Sequence, residues 1–294
     1  MIIVRLIGGI GNQFFQYALG RNVAIKNNTE LKLDISGFEK YKLHNYGLNH
    51  FNIVENIATI TEIQQFKPIW RQFFPYAENT LSKFFLPWYK QNYILEPDFS
   101  YNPDIFKLKK NAYLEGVWQS EKYFSDISEI IRKEISVKNE PDGLNQELLN
   151  LIQRTNSVNV HIRRGDYASN PKTQEKHGLL NLEYYINSLK LIEEKVRNPH
   201  LFVFSDDIPW VRENFKTDLP ICFIDHNGIE KNYEDIRLMS SCRHHIIANS
   251  SFSWWGAWLS NNPGKIVIAP KRWFALGSLD KKTTDLIPSG WIQL

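Results

Sequence analysis

The chain has 294 residues, 43% hydrophobic and 23% charged, enough to bury one large core or two ordinary ones and too apolar for disorder. Its 35 basic and 32 acidic residues leave a net charge of +3, too mild for the basic footprint of a nucleic-acid-binding protein, so no nucleic-acid partner is expected. With only Cys222 and Cys242, no disulfide framework is expected, and two free thiols fit a reducing cytoplasm.

The N-terminal stretch 1–7 is too short and too soon interrupted for a signal peptide. No apolar run approaches the roughly 20 residues of a membrane-spanning helix. A cytoplasmic location is therefore expected. Residues 2–7 read as a strand that ends in Gly8-Gly9-Ile10-Gly11. A helix is predicted from Asn12 to about Asn27, with Phe15, Leu19 and Val23 at helical spacing, and a second strand over 31–35. The chain thus opens on a strand, a glycine turn, a helix and a strand.

From 36 to 123 the pattern loosens into aromatic residues, Asn and Pro, and few elements can be assigned. This region is expected to shape the site of a second substrate. Within it, 66–89 gathers Trp70, Phe73, Phe74, Phe84, Phe85 and Trp88 with Lys67, Arg71 and Lys83 against the single acid Glu78. It reads as a short helical subdomain packed on the core, or as a basic aromatic face for an anionic membrane or a lipid-linked acceptor.

Helices are predicted over 123–135 and 144–155, separated by the turn Pro141-Asp142-Gly143, where the domain boundary is drawn. The second half then alternates: strands over 157–162, 201–205, 221–224, 245–248 and 265–269, helices over 182–197, 208–215, 233–241 and 252–261. Such alternation implies a parallel, doubly wound sheet with ligands beyond the carboxyl ends of its strands. The expected fold is α/β: two Rossmann-type halves, 1–142 and 143–294, facing a cleft.

Four strand ends carry candidate chemistry. Gly9 and Gly11 make half of a dinucleotide-binding fingerprint, and Asp34 ends the next strand where a ribose-binding acid would sit. The third glycine of that fingerprint is replaced by Phe14, against the tight helix–strand packing it serves. The turn either presents backbone N–H groups to an anion or binds nothing.

In His161-Ile-Arg163-Arg164-Gly165-Asp166 a buried strand ends in two guanidinium groups. Residues alternate faces along a strand, so one arginine is expected to meet a ligand and the other to be structural. Arginine matches phosphate oxygens bidentately and keeps its charge. The alternative is an Arg–Asp ion pair closing the strand end. Asp206 and Asp207 follow an apolar strand, and one is expected to read a base edge or ribose hydroxyl while the other caps the next helix. Asn249, Ser250, Ser251 and Phe252 open a helix after another strand, as an anion site or as a plain N-cap with tryptophans packed beneath.

Other signatures are missing. No two aspartates are spaced D-x-D, and neither CxxC nor HExxH is present. His244 and His245 adjoin at the start of a predicted strand, which sends them to opposite faces. No metal is expected, and there is no ATP-binding P-loop or G-x-S-x-G elbow. Protein cations are the expected stabilisers of a departing pyrophosphate.

Taken together, Gly8–Gln13 with Phe15-Gln-Tyr17, the stretch 161–167, Phe204-Ser-Asp-Asp207 and Asn249–Gly256 resemble the α-1,2-fucosyltransferase family, in its order and across nearly the whole chain. The His-x-Arg-Arg element is shared more loosely with α-1,6- and protein O-fucosyltransferases. The resemblance implies a GT-B-like fold, GDP-β-L-fucose as donor, inversion at the anomeric carbon, and no metal or other cofactor. It implies a galactose-terminated oligosaccharide acceptor fucosylated at its 2-hydroxyl. By analogy the acceptor is a lipid-linked O-antigen repeat, with peripheral contact at the inner face of the membrane.

Carried over, Arg163 holds the β-phosphate, Arg164 supports it, and His161 lies near the nucleotide. Asp206 or Asp207 reads guanine or ribose, and Ser250, Ser251 and Phe252 face the diphosphate. Asn12 resembles an asparagine near the fucose and its glycosidic oxygen. Asp166 is the candidate general base. Three rival readings stand beside this one, the third of them a hydrolase acting on GDP-fucose. The first is an NAD-dependent oxidoreductase resting on Gly9, Gly11 and Asp34. The second is a non-catalytic nucleotide- or glycan-binding protein.

Overall fold

Two compact units organise the chain, Met1–Ile135 and Ser136–Leu294. The computed structural model describes residues 1–39, 44–66, 89, 91–108 and 111–294. The segment 66–89 singled out above lies, apart from its two end residues, outside the described residues. The division falls before the predicted Pro141 turn because 136–142 is bound to the second unit. Asp142 pairs with Lys231 at 2.8 Å, and the Arg237 guanidinium donates to the Asn139 carbonyl.

The first unit is built on four parallel strands: β1 (Ile2–Arg5), β2 (Leu31–Asp34), β3 (Tyr93–Leu95) and β4 (Ala112–Glu115), in the order β2-β1-β4-β3. β3 and β4 fall in the stretch where the sequence pattern assigns few elements. They are three and four residues long, and their cohesion comes from partners distant in sequence. Tyr93 stacks on Tyr113 at 5.4 Å, and Ile3, Ile63 and Phe66 pack around Tyr113.

The helix Ile10–Lys26 joins β1 to β2 and is buried along most of its length. It opens before Asn12 because Gly9, in an extended conformation, already caps it: Asn12 and Gln13 donate to the Gly9 carbonyl at 2.9 and 3.2 Å. Gly11 therefore lies in the first helical turn rather than in the glycine turn. Close helix–strand packing is supplied by Gly20, where a Cβ would come within 2.9 Å of Leu31 and 3.1 Å of Val4. Phe14 instead buries its ring edge-on against Phe51 at 4.9 Å. The helix predicted over 123–135 resolves into two single turns and the helix Ser128–Glu134.

The second unit carries six parallel strands: β5 (Asn156–Ile162), β6 (Pro199–Ser205), β7 (Ile221–Ile224), β8 (His244–Ile246), β9 (Val267–Ala269) and β10 (Ile292–Gln293). Their order is β10-β9-β8-β5-β6-β7, and the chain runs outward from β5 to one edge, then outward from β8 to the other. This is a doubly wound sheet with its switch point between β5 and β8.

Alternation along β6 explains why both faces are covered. Leu201 and Val203 pack with Val158, Val160 and the helix Leu182–Lys195, while Phe202 and Phe204 pack with Leu148, Ile152, Leu238 and Met239 on the opposite side. His244 and His245 do split between faces. His245 is buried beside Asn159 at 3.3 Å, and His244 Nδ1 accepts the Ile266 N–H at 3.1 Å. Two short helices follow β5, Gly165–Ser169 and Pro171–His177, where the sequence pattern gives no helical period. Asn170 caps the second of them, with proline at its first position. Among the described residues, no helix is long and apolar enough to cross a membrane.

Candidate active site

At the carboxyl edge of the second sheet, the loops after β5, β6 and β8 bring three of the four sequence motifs together. Arg163 leaves β5 and is gripped by two carboxylates: Nη2 donates to Asp166 Oδ1 at 2.6 Å, and Nη1 pairs with Asp206 Oδ2 at 2.8 Å. Burial alone would lower its pKa, but the charges of Asp206 and Asp166 outweigh burial and raise it. The guanidinium also sits 5.3 Å from the Tyr167 ring centroid.

Arg164 points elsewhere. Its Nε donates to Asp207 at 3.2 Å, and its guanidinium lies 3.5 Å over Trp210. The two arginines, both just beyond the end of β5, therefore differ in their partners, and the Arg–Asp ion pairing offered as the alternative reading is present at this strand end.

The two acids divide as well. Asp207 is the N-cap of the helix Ile208–Asn214 and accepts the Trp210 N–H at 3.3 Å. Asp206 accepts the Arg164 backbone N–H at 2.8 Å while pairing with Arg163. Gly165 is needed for space, because a Cβ there would lie 2.2 Å from Asp206 Oδ2.

On the far side of the switch point, Ser250 caps the helix Ser251–Leu259, its Oγ accepting the Phe252 N–H at 3.3 Å. The first turn of this helix carries Ser251 and Phe252, both partly exposed. Loops from the two sides touch: Tyr167 Oη donates to the Asn249 carbonyl at 3.3 Å, and the His161 and Phe252 rings lie 5.8 Å apart. Asn249 itself is buried, its amide donating to the carbonyls of His177 at 2.9 Å and Trp273 at 3.1 Å. Its side chain ties three segments together and is not presented to a ligand.

His161 is buried near the end of β5, and burial followed by the Arg163 charge pushes its pKa down to about 3. The imidazole is therefore neutral at working pH, and its Nδ1 has no protein partner among the described residues. Behind Tyr167, His177 stacks at 4.8 Å, with Phe274 5.1 Å beyond it.

The first unit holds the remaining motif. Asn12 Oδ1 accepts Gln119 Nε2 at 2.8 Å across the carboxyl ends of the central strands β1 and β4. Gln13 and Gln16 of the same motif are structural: Gln13 donates to the Gly8 and Asn45 carbonyls at 2.9 Å, and Gln16 bonds the Ile7 N–H at 3.0 Å and the Gly116 carbonyl at 2.9 Å. Asp34, offered as a ribose acid by the oxidoreductase reading, is fully buried and already engaged. Its Oδ1 accepts Ser36 N–H at 2.9 Å and Ser36 Oγ at 2.6 Å, and its Oδ2 accepts the Tyr113 hydroxyl.

Sequence reasoning missed Gln119 and Glu96. Glu96 accepts the Val117 and Trp118 N–H groups at 2.6 and 3.0 Å, and burial pushes its pKa up to about 7. The apolar run 112–114 ahead of Gly116 was the available signal. Among the described residues, no group of three His, Cys, Asp or Glu is placed to hold a metal ion.

The chain is 38% identical to an α-1,2-colitosyltransferase of Escherichia coli, over 100% of this chain and 99% of that protein. It is 33% identical to the O-antigen biosynthesis glycosyltransferase WbnK of Escherichia coli, over 98% of this chain and 99% of the relative. Its fold matches that of NodZ, an α-1,6-fucosyltransferase crystallised with GDP, with a TM-score of 0.53 at 13% identity, over 91% of this chain and 94% of NodZ. At that identity the likeness concerns the fold alone. The model of glycosyl transferase family 11 matches residues 1–294, and the chain belongs to that family.

Proposed function

We propose that this glycosyltransferase moves L-fucose from GDP-β-L-fucose to the 2-hydroxyl of a terminal galactoside, with inversion and without a metal ion. The observation that carries the reading is Arg163: a permanent cation at the carboxyl end of β5, beside the switch point and across from the N-terminus of the helix Ser251–Leu259. That edge suits a diphosphate, since guanidinium forks and free helix N–H groups both favour phosphate oxygens. The family membership and the GDP complex of NodZ support a guanosine donor.

In this reading a β-phosphate oxygen takes the place of Asp166 on Arg163, while Asp206 keeps the guanidinium oriented. The acceptor 2-hydroxyl oxygen bonds to C1 of the sugar as the C1–O bond to the β-phosphate breaks. GDP departs with the electron pair, and the growing charge meets Arg163. The displaced Asp166 carboxylate takes the hydroxyl proton. The second unit holds the donor and the first, with Asn12, serves the sugar and acceptor. The acceptor of choice is a lipid-linked O-antigen repeat at the inner face of the membrane, with the enzyme in the cytoplasm.

A second donor is favoured by the colitosyltransferase relative. Colitose is L-fucose without its 3-hydroxyl, so the sugar series is shared and the 3-position decides. The test incubates the purified chain with lactose and either GDP-fucose or its 3-deoxy counterpart, in EDTA, following GDP release. Acceptor-dependent release from GDP-fucose, giving a trisaccharide cleaved by α-1,2-fucosidase, is expected. Turnover of the 3-deoxy donor alone would replace fucose with colitose. Release only after Mg²⁺ or Mn²⁺ is restored would contradict the metal-free mechanism.

A further inference from the structure

We infer that Gln119 is a positioning residue that fixes the amide of Asn12 as a hydrogen-bond donor to a sugar oxygen. This rests on the glycosyl-transfer reading above. The two amides meet at the carboxyl ends of β1 and β4, where Gln119 Nε2 donates to Asn12 Oδ1 at 2.8 Å. With Oδ1 occupied, the other end of the Asn12 amide lies above Gly8, close enough that a Cβ there would sit 2.6 Å from Nδ2. Gly8 has φ of +77°, so this position favours glycine on backbone grounds too. Among the described residues Asn12 Nδ2 has no protein partner, and Asn12 is partly exposed. It is a donor facing outward beside the glycine turn.

Gln119 is held to this one task. It is 7% exposed, and its Oε1 is buried with no protein partner among the described residues. Its loop is stiffened from behind: Glu96 accepts the N–H groups of Val117 and Trp118, and buried Trp118 has the left-handed φ of +55°. A bulky side chain in that region costs energy and persists where surrounding bonds enforce it. The result is a rigid arm that delivers one amide to another. An asparagine free to turn over would present oxygen and nitrogen by turns; one held at Oδ1 presents only N–H. In a displacement at the sugar C1, that donor suits an oxygen gaining negative charge.

The test uses the full chain with GDP-fucose and lactose. Gln119→Met keeps the length of the side chain and removes the donor; kcat should fall about 10–100-fold, as for a misplaced positioning group, with GDP affinity and Tm unchanged. Gln119→Glu reads out the direction of the bond. Its ionised carboxylate can only accept, which turns the Asn12 amide over. Once protonated it can donate again. Its kcat relative to the original chain should therefore rise as pH falls through the pKa of the introduced carboxyl, which burial raises.

Glu96, which holds this loop, Asp98 acting on it, Glu121 and Lys122 next in sequence, and His44 beside Gly9 are present in both proteins, so the ratio isolates the substitution. A flat ratio, or full activity of Gln119→Glu at high pH, would overturn the inference, because Gln119 would then be packing or accepting. Failure of the transfer reading looks different: the unsubstituted chain would not turn over GDP-fucose at all.

Discussion

The carboxyl edges of the two sheets are furnished differently. The second sheet concentrates charge there, with Arg163 in ion-pair contact with both Asp166 and Asp206, and Arg164 with Asp207 alongside. At the first, the charged strand ends are consumed by neighbours: Arg5 pairs with Glu115, which also accepts the Tyr93 hydroxyl, and Asp34 is buried under Ser36 and Tyr113. Beside these pairs the central strands carry the neutral, partly exposed amide of Asn12. A charged edge suits the anionic oxygens of a nucleoside diphosphate. A neutral amide edge suits sugar hydroxyls, which need directional partners without an ionic field. One α/β architecture can thus present two kinds of polar edge by what it places after its strands.

This contrast can be broken by substitution. The largest effect is expected at Arg163. Arg163→Ala removes the guanidinium held in the acid clamp and should lower turnover by on the order of 10²–10³. Its partners Asp166 and Asp206 are partly solvent-exposed, so Tm should barely move. Turnover near that of the original chain would end the assignment.

Gly165→Ala should come next. The added methyl meets Asp206 at 2.2 Å, and relief requires the carboxylate to leave Arg163 or the loop to shift, at about 1–3 kcal/mol. Chemical denaturation and GDP titration would both register it. Unchanged values would mean that Asp206 does not orient Arg163.

The smallest effect at neutral pH is expected from His161→Asn. The unfolded imidazole titrates near about 6.5, while burial and then Arg163 hold the folded one down to about 3. Between these values the unfolded chain binds the extra proton, so His161 contributes stability that is present above about pH 6.5 and lost as pH falls toward about 3. The slope is at most about 1.4 kcal/mol per pH unit. His177, held at about 4, and buried His245 add slopes of the same sign. The substitution should flatten the acid limb of the stability profile; an unchanged limb would mean that His161 is charged in the folded state.

The same contrast explains what the sequence makes legible. In the second unit β6 and β8 give way to polar residues at their carboxyl ends, and the helices Ile208–Asn214 and Ser251–Leu259 open within a few residues. Position and chemistry coincide, so the local pattern alone puts Arg163, Asp206 and Ser250 at one sheet edge. The cross-links are hidden: nothing local says that Asp206 grips Arg163 or that Asn249 is spent on the carbonyls of His177 and Trp273.

In the first unit the signal fails at β3 and β4, which are short and are stabilised by Tyr93, Tyr113 and Phe66 meeting across long connections. Gln119 sits beyond such a strand, in a loop held by Glu96 from another. Its meeting with Asn12 spans 107 residues, beyond any periodicity argument. The glycine turn is legible as a turn. Its packing glycine is expected near Phe14 and stands at Gly20, well along the same helix.

The most direct test of the central claim is a calorimetric titration of GDP into the chain and into Arg163→Ala, both in EDTA. One site is expected in the original chain and a large loss of affinity in the variant, with the folded baseline intact. Equal affinity in both proteins, or no binding to either, would contradict the claim that the charged edge after β5 receives the donor diphosphate.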